Sequence, residues 1–310
     1  MGMLINGKWT KGSIVKSDKK GAYDRQPRSF RDFISPSDPT FKPETNRYHL
    51  YVSYACPWAH RTLIYRKLKG LEDHISVSVV HPDMLDEGWV FDDSFSGATK
   101  DHLFGLKRLS EIYQKADQEI TTSVSVPVLW DKKTNTIVNN ESSEIIRMFN
   151  SSFNDFTSIH TDYYPKDKSQ EIDPLNEKIY DAINNGVYRS GFATTQGAYD
   201  KAVSQLFQTL NELELILDGK KYLTGDQITE ADLRLIPTLL RFDLVYFTHF
   251  KCNTRQIKDY KNLGAYTKNL YDLAAIKDTT NFDHIKRHYY YSHEGINPYR
   301  IIPQGPDSIF

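Results

Sequence analysis

Cysteine is scarce in this chain: Cys56 and Cys252 are the only two among 310 residues. A disulfide framework is therefore excluded, and a reducing, cytoplasmic setting is expected. An excess of one charge is also missing. Lys and Arg number 39 against 40 Asp and Glu, a formal net charge of −1. That balance gives no electrostatic reason to expect nucleic acid or an anionic membrane as a partner. No apolar run approaches the roughly 20 residues of a membrane span. The first residues, Met1-Gly2-Met3-Leu4-Ile5-Asn6-Gly7-Lys8-Trp9, lack the apolar core of a signal peptide. His249, Lys251 and Cys252 have no partners at metal-ligand spacing, so no metal is expected. What is abundant is aromatic surface. Aromatics make up 13% of residues, including 20 tyrosines and 16 phenylalanines, within a hydrophobic content of 39%. A chain of this length and composition can bury a real core and accommodates two domains.

The most informative stretch is Tyr54-Ala55-Cys56-Pro57-Trp58-Ala59-His60-Arg61. It follows the strand-like run His49-Leu50-Tyr51-Val52-Ser53 and precedes a helical run from Arg61 to Lys69. A cysteine at a strand-to-helix turn lies at the positive end of the helix dipole, beside N–H groups with no intrahelical partner. Both favour the thiolate, the reactive form of the side chain. Pro57 suits the first helical turn, where its missing N–H costs nothing. This is the layout of a thioredoxin-type redox centre, except that Ala59 stands where a dithiol enzyme has its second cysteine. A single thiol cannot resolve its own mixed disulfide. It needs an external thiol, and glutathione is the candidate.

Along the chain, the first forty-odd residues are polar and read as irregular, with an Asn6-Gly7 hairpin turn and the stretch Gln26-Pro27-Arg28-Ser29-Phe30-Arg31-Asp32-Phe33. Patterning then predicts a strand over 49–54, a helix over 58–69, a strand over 75–80, a loop over 82–101, a helix over 103–116, strands over 124–130 and 137–138, and a helix over 142–149. That order is thioredoxin-like, a mixed sheet covered by helices. Pro127 inside the strand Val124-Ser125-Val126-Pro127-Val128 argues against ordinary ladder pairing. A cis Val126–Pro127 bond or an edge strand would each explain it. Beyond a polar linker, helices are predicted over 172–185, 196–217, 230–247, 258–274 and 282–289. The third opens on a capping box, Thr229-Glu230-Ala231-Asp232, with Ile228 as a staple. The expected architecture is an α/β thioredoxin-like N-terminal domain followed by an all-α domain. Its boundaries are a leader over 1–46, a glutathione-binding domain over 47–150, a linker over 151–171 and a helical domain with a C-terminal extension over 172–310.

The thiol turn, the Val-Pro strand, Glu141-Ser142 and the capping box together resemble the glutathione transferase superfamily and its fold. Cys56-Pro57-Trp58-Ala59-His60-Arg61, Gly88-Trp89-Val90-Phe91 and Val126-Pro127-Val128-Leu129-Trp130-Asp131 resemble its xi class, the omega-like glutathionyl-hydroquinone reductases. So do Arg241-Phe242-Asp243-Leu244-Val245-Tyr246, His249-Phe250-Lys251-Cys252-Asn253 and Ile285-Lys286-Arg287-His288-Tyr289-Tyr290. The resemblance spans nearly the whole chain. It implies glutathione-dependent reduction of glutathionyl-hydroquinones, with Cys56 as the nucleophile and a mixed disulfide resolved by a second glutathione.

The resemblance also implies roles. Tyr188 would be the proton donor and acceptor for the carbon leaving group, a task that suits a weak acid. Tyr246 and Tyr289 would lie near the thiol, where two hydroxyl donors favour the Cys56 thiolate and lower its pKa. Each of the three could equally be a core ring with a satisfied hydroxyl. For glutathione, Trp89 would pack on the tripeptide, Ser123, Val124, Ser125 and Val126 would offer backbone groups ahead of Pro127, and Glu141 and Ser142 would take the γ-glutamyl end at a helix start. Ser123 stands where the family usually has an arginine. The implied partners are glutathione, glutathionylated aromatic acceptors and a second copy of the chain in a homodimer. Two other readings stay open: an omega-like thioltransferase or dehydroascorbate reductase, which needs Cys56 but not the tyrosines, and a non-catalytic binding module of the same fold.

Overall fold

The structure, a computed structural model, describes residues 2–12, 16–17, 20–24 and 28–310; the Gln26-Pro27 part of the leader lies outside them. In chain order the strands are β1 (Gly2–Ile5), β2 (Lys8–Lys11), β3 (Lys16–Ser17), β4 (Tyr23–Asp24), β5 (Tyr48–Val52), β6 (Ile75–Val79), β7 (Thr122–Ser123), β8 (Val128–Asp131) and β9 (Thr136–Asn139). The helices are α1 (Pro57–Leu68), α2 (Leu109–Ala116), α3 (Ser142–Ser151), α4 (Ser169–Ile179), α5 (Gly186–Gly191), α6 (Gln196–Ile216), α7 (Glu230–Arg241), α8 (Phe247–His249), α9 (Lys261–Tyr271), α10 (Ala274–Lys277) and α11 (Phe282–Ser292). They fall into two units. One comprises Met1–Ile14, Gln26–Asp162 and Thr279–His288; the other comprises Val15–Arg25, Tyr163–Asp278 and Tyr289–Phe310.

The first unit is built on a mixed sheet in the order β6-β5-β8-β9. Strand β5 pairs parallel with β6 and antiparallel with β8, and β8 pairs antiparallel with β9. Every residue of β5 is buried, which is why its sequence runs apolar and aromatic instead of alternating. Burial of Leu50 and Val52 contributes about 1.5–3 kcal/mol each. Helix α1 is buried over its first nine residues and places Arg66 and Lys67 in its last turn, where cations complement the dipole.

Three local expectations are corrected here. The leader is not irregular throughout: β1 and β2 form an antiparallel hairpin, and β1 also pairs with β7, Met3 opposite Ser123 and Leu4 opposite Thr122. Asn6 and Gly7 turn it with φ of 48° and 72°, the left-handed pair that a two-residue hairpin needs. The strand expected over 124–130 is broken, because β7 and β8 serve different sheets and 124–127 lie between them. The Val126–Pro127 bond is cis. Helix α2 starts at Leu109, not 103. The Asp101 carboxylate takes the N–H groups of Leu103, Phe104 and Leu106, each at 3.1 Å, and a side chain that captures local amides competes with helix formation.

The second unit is helical. The capping box at the start of α7 is complete: Thr229 N–H donates to Asp232 Oδ2 at 2.8 Å and the Thr229 hydroxyl accepts from the Asp232 amide. Two predicted long helices are interrupted by wider, π-type turns over Tyr180–Asn184 and Phe242–Tyr246. Asn184 Nδ2 donates to Thr238 Oγ1 at 2.8 Å, a buried hydrogen bond from the first of these turns to α7. The helix expected over 258–274 is two, α9 and α10, after a short 3₁₀ turn at Ile257–Asp259.

Candidate active site

In the first unit the chain leaves β5 and turns at Ser53, whose hydroxyl accepts from Ala55 N–H at 3.2 Å and whose carbonyl accepts from Cys56 N–H at 3.2 Å. Cys56 is the N-cap of α1, in extended conformation, with Pro57 in the first turn. Its carbonyl receives the His60 amide at 3.0 Å, closing the first helical bond. The thiol is half-buried and lies 3.6 Å from the Val126 carbonyl, just ahead of the cis proline. Cys252 is the opposite case. It is fully buried, and burial pushes its thiol up to about 12, which leaves an inert structural cysteine.

Around the thiol, Tyr113 organises the strand break. Its hydroxyl donates to Ser125 O at 2.8 Å and sits 3.3 Å from Ser125 N–H, while Asn140 Nδ2 donates to it at 3.1 Å. Val124 and Val126 are buried, and Ser123 is spent in the β1 ladder. Glu141 is the N-cap of α3: its Oε1 accepts from Ser143 N–H at 3.1 Å and from the Ser143 hydroxyl at 3.1 Å. Burial pushes this carboxyl up, but the Ser143 N–H and the charges of Arg28 and Arg61 outweigh it and hold the group below the usual glutamate range. An ionised carboxylate beside a helix N-terminus can take an ammonium and a carboxylate side by side, the pattern of a free amino-acid end. Trp89 is 6% exposed, with its ring stacked on His288 at 4.8 Å and 22°.

In the second unit the three tyrosines singled out from twenty share one hydrogen-bond chain. Tyr188 stands on α5, Tyr246 ends the π-type turn after α7, and Tyr289 stands on α11. The Tyr289 hydroxyl lies 2.5 Å from that of Tyr188 and 2.9 Å from that of Tyr246. Tyr246 and Tyr289 are buried and Tyr188 is half-buried, so Tyr188 is the open end. Burial drives Tyr246 and Tyr289 well above the ordinary tyrosine range, with the Arg241 guanidinium opposing it. Both therefore stay neutral and able to donate, and hydroxyls in series polarise one another. Phe192 and Phe250 flank Tyr188, at 6.2 and 5.5 Å between ring centres.

Sequence reasoning passed over Tyr113 and Arg241, and it read His288 only as a packing or capping residue. No periodic pattern marks them: Tyr113 acts on Ser125, Arg241 on Tyr246 and Tyr289, and His288 on Trp89. Among the described residues no cluster of three or more His, Cys, Asp or Glu could hold a metal, and no helix is long and apolar enough to cross a membrane.

A thioredoxin-like unit with a monothiol at a helix start, and a separate helical unit, define a class. Family models for the glutathione S-transferase N-terminal domain and C-terminal domain match residues 55–152 and 196–269. The chain is similar to glutathionyl-hydroquinone reductase YqjG of Escherichia coli, at 53% identity over 99% of this chain and 95% of that one, and to glutathionyl-hydroquinone reductase PcpF of Sphingobium chlorophenolicum, at 47% over 99% and 96%. The glutathione-bound structure of the E. coli protein superposes with a TM-score of 0.91 at 52% identity, covering 99% of this chain and 96% of that one. The xi glutathione S-transferase of Phanerochaete chrysosporium does so at 0.93 and 52%, covering 95% and 96%. The chain belongs to the glutathione S-transferase superfamily, and within it to the xi class, the glutathionyl-hydroquinone reductases.

Proposed function

We propose that this chain reduces glutathionyl-hydroquinones with glutathione. The Cys56 thiolate attacks the adduct sulfur, forming a Cys56–glutathione disulfide and breaking the sulfur–carbon bond. The electron pair goes to the ring carbon, which takes a proton from Tyr188. A second glutathione returns its thiol proton to Tyr188 and, as the thiolate, attacks the glutathione sulfur of the mixed disulfide, releasing glutathione disulfide and the Cys56 thiolate. A carbon leaving group is poor unless protonated, and the hydroxyl chain Tyr188–Tyr289–Tyr246 supports this reading above any thiol-only chemistry. In it Tyr246 and Tyr289 assist the Cys56 thiolate. Trp89, the backbone from Ser123 to Pro127, and Glu141 with Ser142 hold glutathione. Residues 47–150 serve glutathione and 172–310 the aromatic acceptor, in a cytoplasmic homodimer.

The test is turnover of glutathionyl-menadiol. Cys56→Ala is expected to abolish it. Tyr188→Phe is expected to lower kcat by about 10²–10⁴, the usual range for a lost general acid, while activity on a small mixed disulfide survives. Equal loss on both substrates in Tyr188→Phe would remove the assigned acid. Full activity of Tyr188→Phe on glutathionyl-menadiol would likewise count against the assigned acid, and no turnover of it by the wild type, beside good activity on the mixed disulfide, would move the protein to the thioltransferases.

A further inference from the structure

The residues from Pro82 to Trp89 form a loop, yet their conformation is held from two sides by parts of the chain far away in sequence. From one side comes the middle of α11. Arg287 Nε and Nη2 donate to the two Asp83 carboxylate oxygens, both at 2.7 Å. The pair is partly shielded, at 29% and 13% side-chain exposure, and a bidentate fork of this kind fixes orientation as well as distance. The next residue, His288, donates from Nδ1 to the Pro82 carbonyl at 2.8 Å. A carbonyl can only accept, so Nδ1 carries the hydrogen. That bond sets the ring plane against which Trp89 stacks.

From the other side comes the β1–β2 hairpin. Trp9 Nε1 donates to the Asp86 carbonyl at 2.9 Å. Its ring lies against Gly88, 2.6 Å from where a Cβ would stand, and Gly88 has φ of +71°. Only glycine tolerates both the backbone angle and the close approach. The Trp89 carbonyl itself accepts from Leu109 N–H at 2.9 Å, at the start of α2.

We infer that Asp83, Arg287 and Trp9 are positioning residues for the glutathione site, seating Trp89 through this two-sided clamp. The inference rests on the reading of Trp89 as a glutathione contact. Its physical basis is pre-organisation. A loop that must be ordered by its ligand spends binding free energy on lost conformational freedom, and one already ordered does not. Neither Asp83, Arg287 nor Trp9 has a role in the chemical step. Loosening the clamp therefore weakens glutathione binding uniformly in ground and transition state, which raises KM and leaves kcat alone. The exposed Lys11–Asp86 pair on the same loop is a surface ion pair and contributes little.

Steady-state kinetics with glutathionyl-menadiol, whose glutathionyl group occupies this site, varied at saturating glutathione test this in Asp83→Asn, Arg287→Gln, the reversed pair Asp83→Arg/Arg287→Asp, Trp9→Leu and Trp89→Ala. Each clamp single is expected to raise KM for glutathionyl-menadiol about tenfold, the size of one lost oriented contact, with kcat within about twofold. The reversed pair is expected to regain most of the loss. Trp9→Leu loosens the opposite side of the loop without touching the ion pair, so it reports even if an Asp83 or Arg287 variant fails to fold. A raised KM in Trp89→Ala with unchanged KM in all the clamp variants overturns the clamp and leaves Trp89 as a glutathione contact. Unchanged KM in Trp89→Ala overturns that reading of Trp89 and the clamp with it.

Discussion

Arg47 lays Nε and Nη2 on the two oxygens of Asp131, at 2.9 and 2.6 Å, with both side chains almost wholly out of solvent. Burial pushes the Asp131 carboxyl up, but the Arg47 fork, the Thr134 hydroxyl and the Lys133 amide outweigh it and hold the group below the usual range. A carboxylate depressed in the fold contributes stability that is fully present above its unfolded pKa, near 3.9, and is lost as pH falls through the lower folded value. Arg47→Gln leaves that charge buried without its cation and is expected to cost about 3–5 kcal/mol at pH 7. The difference between wild type and variant in urea unfolding should shrink steadily between pH 5 and pH 3. His49, whose imidazole burial brings down to about 3, titrates in both proteins and cancels from that difference. A gap that stays constant with pH would show that the pair is not the cause. Sequence alone placed Asp131 in the 126–131 stretch but could not pair it with Arg47, 84 positions away.

Helix α5 is short, yet it carries Tyr188 and ends at Gly191, where a Cβ would stand 2.2 Å from the Phe250 ring. That ring stacks on Tyr246 at 5.4 Å and 14° and meets Tyr188 edge-on at 5.5 Å. An added methyl must move Phe250, and with it the rings that set the hydroxyl chain. Gly191→Ala is expected to lower kcat by about 10–100-fold, as small misplacements of reacting groups do, with KM for glutathione held and about 1–3 kcal/mol of stability lost to overpacking. Unaltered kcat at saturating substrate would mean that Phe250 relaxes without disturbing Tyr188. At this scale the sequence was legible where the signal is local. The thiol turn at Cys56-Pro57 and the Thr229–Asp232 capping box stand where their residue patterns put them. It was not legible where a distant strand or a local side chain decides. Strand β7 leaves the central sheet because β1 claims it, residues 101–107 stay non-helical because Asp101 captures their amides, and the π-type turns at Tyr180–Asn184 and Phe242–Tyr246 have no periodic signature. The tyrosines were chosen by resemblance to a family, since periodicity cannot separate three rings from twenty.

Across the whole molecule, charges of opposite sign nearly cancel and the sequence pI is about 6.8. Proteins repel one another least near that point. Static light scattering at low salt is therefore expected to show the strongest self-attraction near pH 7, weakening toward pH 6 and pH 8.5; a monotonic trend through neutrality would contradict it. Overall class was the most legible level, because its motifs run from the thiol turn to the Ile285–Tyr290 segment. The leader was the least, because so short a hairpin reveals its structural role only through what it covers. That hairpin also carries a timetable. Leu4 is made before its partner Thr122, which follows more than a hundred residues later. At about 5–20 residues per second, the free edge of β1 waits roughly 5–25 s on the ribosome for the strand that completes it, and for that interval the nascent chain offers an unpaired strand to whatever else is present.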